Sequence, residues 1–217
     1  AVVLRLGHGV VFVRGEAARG GRERVEAAGK GMAEAARLPK DPDWNPAVRT
    51  SGVDLNAKGY IDDRGRLDPF ERTMAHRQLL YYREGLTATV AVRQAIAKGG
   101  VEAGRSLLIN GKSVASTSYV DMRLQRSIGH LPMLLHPKPQ DVLVIGLGTG
   151  MTAGSCARHP GAQVEIVEIE GAVVEAARFF SRENRSVLGS PRVQVVINDG
   201  RNHLLTAATD YDVITAD

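Results

Sequence analysis

"VLVIGLGTG", residues 142–150, is an unbroken apolar run that stops abruptly at alternating glycines. A short strand with no polar alternation suits a parallel sheet whose two faces are both covered by helices. The residues that follow repeat this alternation of elements. Residues 151–158 read as a short helix and "QVEIVEIE" (163–170) as a second strand. "GAVVEAARFFSR" (171–182) reads as a helix with Val173, Val174, Ala177 and Phe180 on one face. "RVQVVIND" (192–199) is a third strand, "GRNHLLTA" (200–207) a turn or two of helix, and "YDVITAD" (211–217) a fourth strand. Strand and helix in strict succession predict an α/β domain with a doubly wound, Rossmann-like parallel sheet over 138–217, cut short at its C-terminal side.

In such a sheet ligands bind beyond the carboxyl ends of the strands, and the first strand-to-helix turn makes the closest approach. Gly146, Gly148 and Gly150 stand at that turn with Leu147 and Thr149 between them, where a Cβ would obstruct the backbone or the ligand. A nicotinamide fingerprint needs glycine or alanine at its sixth position, and Met151 stands there instead. The Gly-x-Gly-x-Gly spacing suits enzymes that bind a sulfonium nucleoside, the S-adenosylmethionine-dependent methyltransferase-like fold. Glu168, followed by Ile169, ends the second strand about twenty residues on, where a carboxylate can accept bonds from both ribose hydroxyls. Asp199, followed by Gly200, ends the third strand and is placed to accept a bond from an adenine amino group. An adenosine-containing ligand is therefore expected.

Upstream, "LLYYREGLTATVAVRQ" (79–94) turns at Glu84-Gly85, and "RSLLINGKSVAST" (105–117) turns at Asn110-Gly111. Both read as β-hairpins, so a small antiparallel β unit precedes the glycine motif. "DMRLQRSIGHLPMLL" (121–135) has Met122, Leu124, Ile128, Leu131 and Leu135 at near-helical spacing, with Pro132 as its weak point. Residues 44–137 are thus expected to form a β-rich unit with a connecting helix. Residues 1–43 read as a leader or linker, helical over 15–38, that ends at the turn-rich "PKDPDWNP". The chain begins without methionine and stops inside a strand, and reads as a fragment.

Composition narrows the function classes. With 217 residues, 43% of them hydrophobic, the chain can bury a real core. The formal charge of +4 and pI of about 9.4 come from arginine-rich stretches such as "RGEAARGGRER" (14–24), without the aromatic interleaving of a nucleic-acid surface. The lone Cys156 rules out an intramolecular disulfide, points to a reducing compartment, and reads as a small buried apolar residue. His130 and His136 have no cysteine or acid at ligand spacing, so no metal is expected. The opening "AVVLRLGHGVVFV" is interrupted by Arg5, Gly7 and His8, and is too short for the roughly 18 apolar residues of a membrane span.

With these motifs in hand, residues 79–217 resemble the spermidine synthase family of aminopropyltransferases. The linked order "HPKPQDVLVIG", "VEIE", "NDGR" and "YDVITAD", with "LLINGK" in the β unit, carries the resemblance. "GLGTG", "DMRLQ" and "WNPAVRTSGV" are most similar to the bacterial form of that domain fused to membrane transporter-like helices. The resemblance implies transfer of an aminopropyl group from decarboxylated S-adenosylmethionine to an amine such as putrescine, within polyamine biosynthesis. It implies Asp217 as the catalytic acceptor of the amine's proton, Gln125 as a substrate contact, a homodimer, and a cytoplasmic site, membrane-tethered in the parent protein. Thr149 stands where the family has an aspartate for the aminopropyl ammonium. Leu124 and Arg126 replace a family tyrosine and acid, and the family's β-unit glutamines give way to apolar or small residues near Ala88 and Val114. These departures keep two alternatives in view, an S-adenosylmethionine-dependent methyltransferase and a non-catalytic nucleoside sensor attached to a membrane segment.

Overall fold

The computed structural model describes residues 2–6, 9–13, 76–97 and 99–217. Four parallel strands form its centre: β7 (Asp141–Ile145), β8 (Gln163–Glu168), β9 (Val193–Ile197) and β10 (Val213–Ala216). They lie in the order β10-β7-β8-β9. The chain moves outward from β7 to β8 and β9 and then crosses back to the other side for β10. The strand order therefore reverses at β7, which opens a crevice at its carboxyl end. Val142, Val144, Val164, Ile166 and Val213 are all almost fully buried, as unalternating strands require.

Among the described residues four α-helices cover and connect the strands: α1 (Tyr119–Leu135), α2 (Met151–Cys156), α3 (Gly171–Ala177) and α4 (Gly200–Thr206). α1 begins at Ser118, whose side chain accepts a bond from the Asp121 backbone N–H, and it passes through Pro132 without ending. The helix forms as its spacing predicts, but its buried face is different. Gln125, Ile128, Gly129, Pro132 and Met133 turn inward, whereas Leu124, Leu131 and Leu135 are exposed. Gly129 explains the rotation. A Cβ there would lie 2.5 Å from the Thr152 carbonyl oxygen and 2.6 Å from Ser155 Cβ, so the smallest side of α1 faces α2.

The antiparallel unit is a four-stranded sheet, β3 (Arg77–Glu84), β4 (Thr89–Ile96), β5 (Glu102–Ile109) and β6 (Lys112–Ser116), paired in sequence order. Asn110 and Gly111 both have positive φ, 50° and 78°, which suits the two-residue hairpin expected there. The first hairpin turns over Gly85–Ala88 and is closed by Gly85 N–H donating to Ala88 O at 2.9 Å. Val90, Val92 and Leu107 of this sheet belong to the same apolar cluster as Val142, Val144, Met151 and Phe180.

Residues 2–13, read from the sequence as part of a leader, form two strands, β1 (Val2–Leu6) and β2 (Gly9–Val13). β2 runs antiparallel to β10, with Val213 opposite Val13 and Ala216 opposite Val10. β10 offers a row of unpaired peptide groups on that side, and a β-branched run can satisfy them. The helix expected over 15–38 and the turn-rich region around Trp44 lie outside the described residues. No helix among the described residues is long and apolar enough to cross a membrane.

Candidate active site

The glycine turn follows β7 directly. Gly146, Gly148 and Gly150 have φ of 85°, 52° and 80°, a left-handed conformation that other residues adopt only under strain. Gly150 N–H donates to Leu147 O at 2.7 Å and closes the turn, while Gly146 N–H donates to Val167 O at 2.8 Å and ties it to β8. The turn is packed from two sides. A Cβ on Gly146 would lie 3.1 Å from Asp217 O, and one on Gly150 would lie 3.1 Å from Asn184 Nδ2. Asn184 is buried, and its amide donates to Thr149 O at 2.8 Å and Ala177 O at 2.9 Å, pinning the turn to the end of α3.

Glu168 ends β8 and is 7% exposed. Its Oε2 accepts from Leu147 N–H at 2.8 Å and its Oε1 from Glu170 N–H at 3.0 Å. Backbone donors thus hold the carboxylate against the glycine turn, and no ion pair engages it among the described residues. Ile169 beside it is half exposed. Asp199 is exposed at the end of β9; its Oδ1 accepts from Asn202 N–H at 2.8 Å and caps α4. β8 and β9 are paired there, with Asn198 N–H donating to Glu168 O at 3.1 Å, so the two acids occupy neighbouring strand ends. Gly200 serves packing: a Cβ would lie 2.6 Å from Ile145 Cγ2.

On the other flank, Asp217 follows β10, its N–H donating to Ile145 O at 3.1 Å. The residue stands at the open end of the strand, yet its carboxyl is turned inward, and Thr152 Oγ1 donates to Oδ2 at 2.8 Å. Burial pushes this carboxyl above the usual aspartate range, and the Thr152 hydroxyl pulls it partly back. Thr149 and Gln125, both buried, meet directly: Thr149 Oγ1 donates to Gln125 Oε1 at 2.5 Å. Gln125 in turn donates from Nε2 to Asp121 O at 3.4 Å. Gln125, Thr149 and Asp217 therefore converge on one side of the turn and Glu168 and Asp199 on the other. Arg126 and Leu124, neighbours of Gln125 on α1, point outward.

Glu170 and Thr152, like Asn184, escaped the sequence reading. Glu170 caps α3 through Ala172 N–H at 3.1 Å and also accepts from Thr87 N–H at 2.8 Å, Thr87 Oγ1 at 2.9 Å and Ala88 N–H at 3.3 Å. It fastens the first hairpin of the antiparallel sheet beside Glu168. Burial alone would raise this carboxyl; the bonds from Thr87, Ala172 and Ala88 outweigh that and hold it below the usual glutamate range. An acid just before an amphipathic helix was its only sequence signal, and glutamate is not a favoured cap. Thr152 was unmarked because a threonine inside a short helix carries no motif.

Comparison with known proteins bears on the same part of the chain. Residues 121–217 match the spermine/spermidine synthase domain. The polyamine aminopropyltransferase of Bacillus cereus (strain ATCC 10987 / NRS 248) is 32% identical over 117 residues, which cover 54% of this chain and 42% of that protein. That of Thermotoga petrophila is 27% identical over 168 residues, covering 70% of this chain and 57% of that one. The chain spans about half the length of these relatives. Among solved structures, it is similar to a spermidine synthase in complex with the transition state analogue AdoDATO. That likeness has a TM-score of 0.57 and 24% identity, over 64% of this chain and 47% of that one. Spermidine synthase from Thermotoga maritima gives the same TM-score and identity, over 64% of this chain and 46% of its own. These two likenesses show the fold. The matched span runs from the helix that carries Gln125 to Asp217 just after β10, and over that span the chain is similar to the spermidine synthase family.

Proposed function

We propose that the glycine turn binds decarboxylated S-adenosylmethionine and that the protein transfers its aminopropyl group to an amine acceptor, a diamine such as putrescine, in polyamine biosynthesis. The observation that carries this reading is the flanking of one bare turn by two acids of opposite character. Glu168 is fixed by backbone donors on one side. On the other, the inward-turned Asp217 carboxyl has an Oδ2 that would lie 3.8 Å from a Cβ on Gly148.

The sulfonium is already a good leaving group. The protein has to align an unprotonated amine for in-line attack and accept the proton it sheds. Glu168 holds the ribose hydroxyls and Asp199 the adenine amino group. The nitrogen forms its bond to the aminopropyl carbon as the carbon–sulfur bond breaks, sulfur keeps the electron pair as a neutral thioether, and Asp217 takes the proton. A carboxyl raised by burial is a better base than an ordinary aspartate, because its proton affinity lies closer to the working pH.

The neutral Thr149–Gln125 pair favours a second reading. With a neutral threonine where the resemblance expects an acid for the aminopropyl ammonium, the site does not demand a cationic three-carbon arm, and methyl transfer fits the same fold. Mass spectrometry of the acceptor after incubation with each donor decides between them. A gain of one aminopropyl group supports the first reading, a gain of one methyl group supports the second, and ligand binding without any product points to a nucleoside sensor.

A further inference from the structure

We infer that Thr152 is the positioning residue of the proton acceptor: its hydroxyl, at the crossing of α1, α2 and β10, orients the Asp217 carboxyl and satisfies it both before and after proton transfer. The inference rests on the reading of Asp217 given above.

The geometry is specific. Thr152 is fully buried as the second residue of α2. Its Oγ1 lies 2.8 Å from Asp217 Oδ2 and 3.1 Å from the Gln125 carbonyl oxygen on α1. A hydroxyl within a helix ordinarily bonds back to a carbonyl of its own preceding turn. Ser155 does so three residues later, donating to Met151 O at 2.8 Å. Thr152 instead spends its hydroxyl on a strand end and on a neighbouring helix.

A hydroxyl has one hydrogen to give and two lone pairs to receive. With Asp217 ionised, the hydrogen points to Oδ2 in a charge-assisted bond. Once Asp217 has taken the amine's proton, the hydroxyl can rotate its hydrogen to Gln125 O and accept the new O–H from the carboxyl. Rotation of one hydroxyl thus accompanies the transfer of one proton.

Among the described residues, the surroundings of Asp217 leave this role to Thr152. The glycine turn presents Gly146 and Gly148, α1 the uncharged Gln125, and β7 the backbone of Ile145. Among the described residues, the titratable group that interacts with it is the Cys156 thiol on α2, pushed up to about 12 by burial and therefore neutral. Among the described residues no other side chain donates to the Asp217 carboxyl.

The test compares Thr152→Val, which keeps shape and removes the hydroxyl, with Thr152→Ser and Asp217→Asn. The Asp217 carboxyl is titrated directly by carbon-13 NMR, and kcat/KM for aminopropyl transfer is followed against pH. Thr152→Val should move the Asp217 midpoint upward by about one pH unit, since the ionised form loses a charge-assisted bond. The acid limb of kcat/KM should move with it, the dissociation constant for decarboxylated S-adenosylmethionine should stay within about two-fold, and Thr152→Ser should restore both midpoints. An unmoved Asp217 midpoint in Thr152→Val overturns the inference. Should the valine variant fail to fold, Thr152→Ala is titrated in its place, with the same expected shift and the same overturning result. If Asp217→Asn retains full turnover, the reading of Asp217 as proton acceptor falls, and the assignment of Thr152 as its positioning residue falls with it even where the midpoint moves.

Discussion

The carboxyl ends of β8 and β10 face each other across the glycine turn, and they treat an acid in opposite ways. Glu168 is held by two backbone N–H groups that belong to the fold itself. Asp217 has one side-chain hydroxyl as its donor, and burial of its carboxyl raises its proton affinity. Fixed donors keep a carboxylate still, which suits an acceptor for ribose hydroxyls. Burial with a single adjustable donor keeps a carboxyl ready to change charge, which suits proton transfer.

Asp217→Asn should break this contrast most severely. Turnover should fall by about 10²–10⁴-fold, the range for a lost general base, while the nucleoside's dissociation constant changes only a few-fold. Isothermal calorimetry beside a rate assay separates the two. Glu168→Gln should give the opposite pattern, because its amide turns N–H groups toward backbone donors. Nucleoside affinity should drop roughly ten- to a hundred-fold as bonds to a charged acceptor are lost, with a smaller effect on kcat. If both substitutions act on the same constant, the division of labour is wrong.

Gly129→Ala sharpens the comparison by disturbing one side alone. Its methyl would meet the Thr152 carbonyl, forcing α1 and α2 apart at a cost of about 1–3 kcal/mol. Thermal unfolding should record the loss. Turnover should fall with Asp217's support, and nucleoside affinity should hold. The smallest effect is expected from mild acid. Glu170 has a lowered proton affinity when folded, so its stabilising contribution is complete above the unfolded glutamate value near 4.5 and is lost as pH falls through the folded value. Hydrogen exchange at Thr87 and Ala88 should accelerate in that window, and Glu170→Gln should flatten the response.

The sequence shows the parallel sheet plainly because strand and helix signals alternate through 141–217 and each strand leads into a residue that does something visible. Gly146, Gly148 and Gly150, Glu168 and Asp199 could be found from spacing for that reason, and Asn110-Gly111 disclosed its hairpin by turn chemistry. Other features depend on which surfaces meet. The buried face of α1 was set by Gly129 fitting against Thr152 and Ser155, a close approach that hydrophobic spacing does not encode. Thr152 and Asn184 act through partners 65 and 35 residues away along the chain. Glu170 looks like a helix leader until the first hairpin arrives above it. β2 became a strand of the main sheet because β10 had an open side, a fact about another part of the chain.

Val90, Val92 and Leu107 share their apolar cluster with the strands of the parallel sheet. The two sheets therefore cannot loosen independently: pulling one away would expose the other to water, and heat should melt both in a single cooperative step. The hairpin fastened by Glu170 is expected accordingly to act as a fixed wall beside the glycine turn and not as a hinged cover.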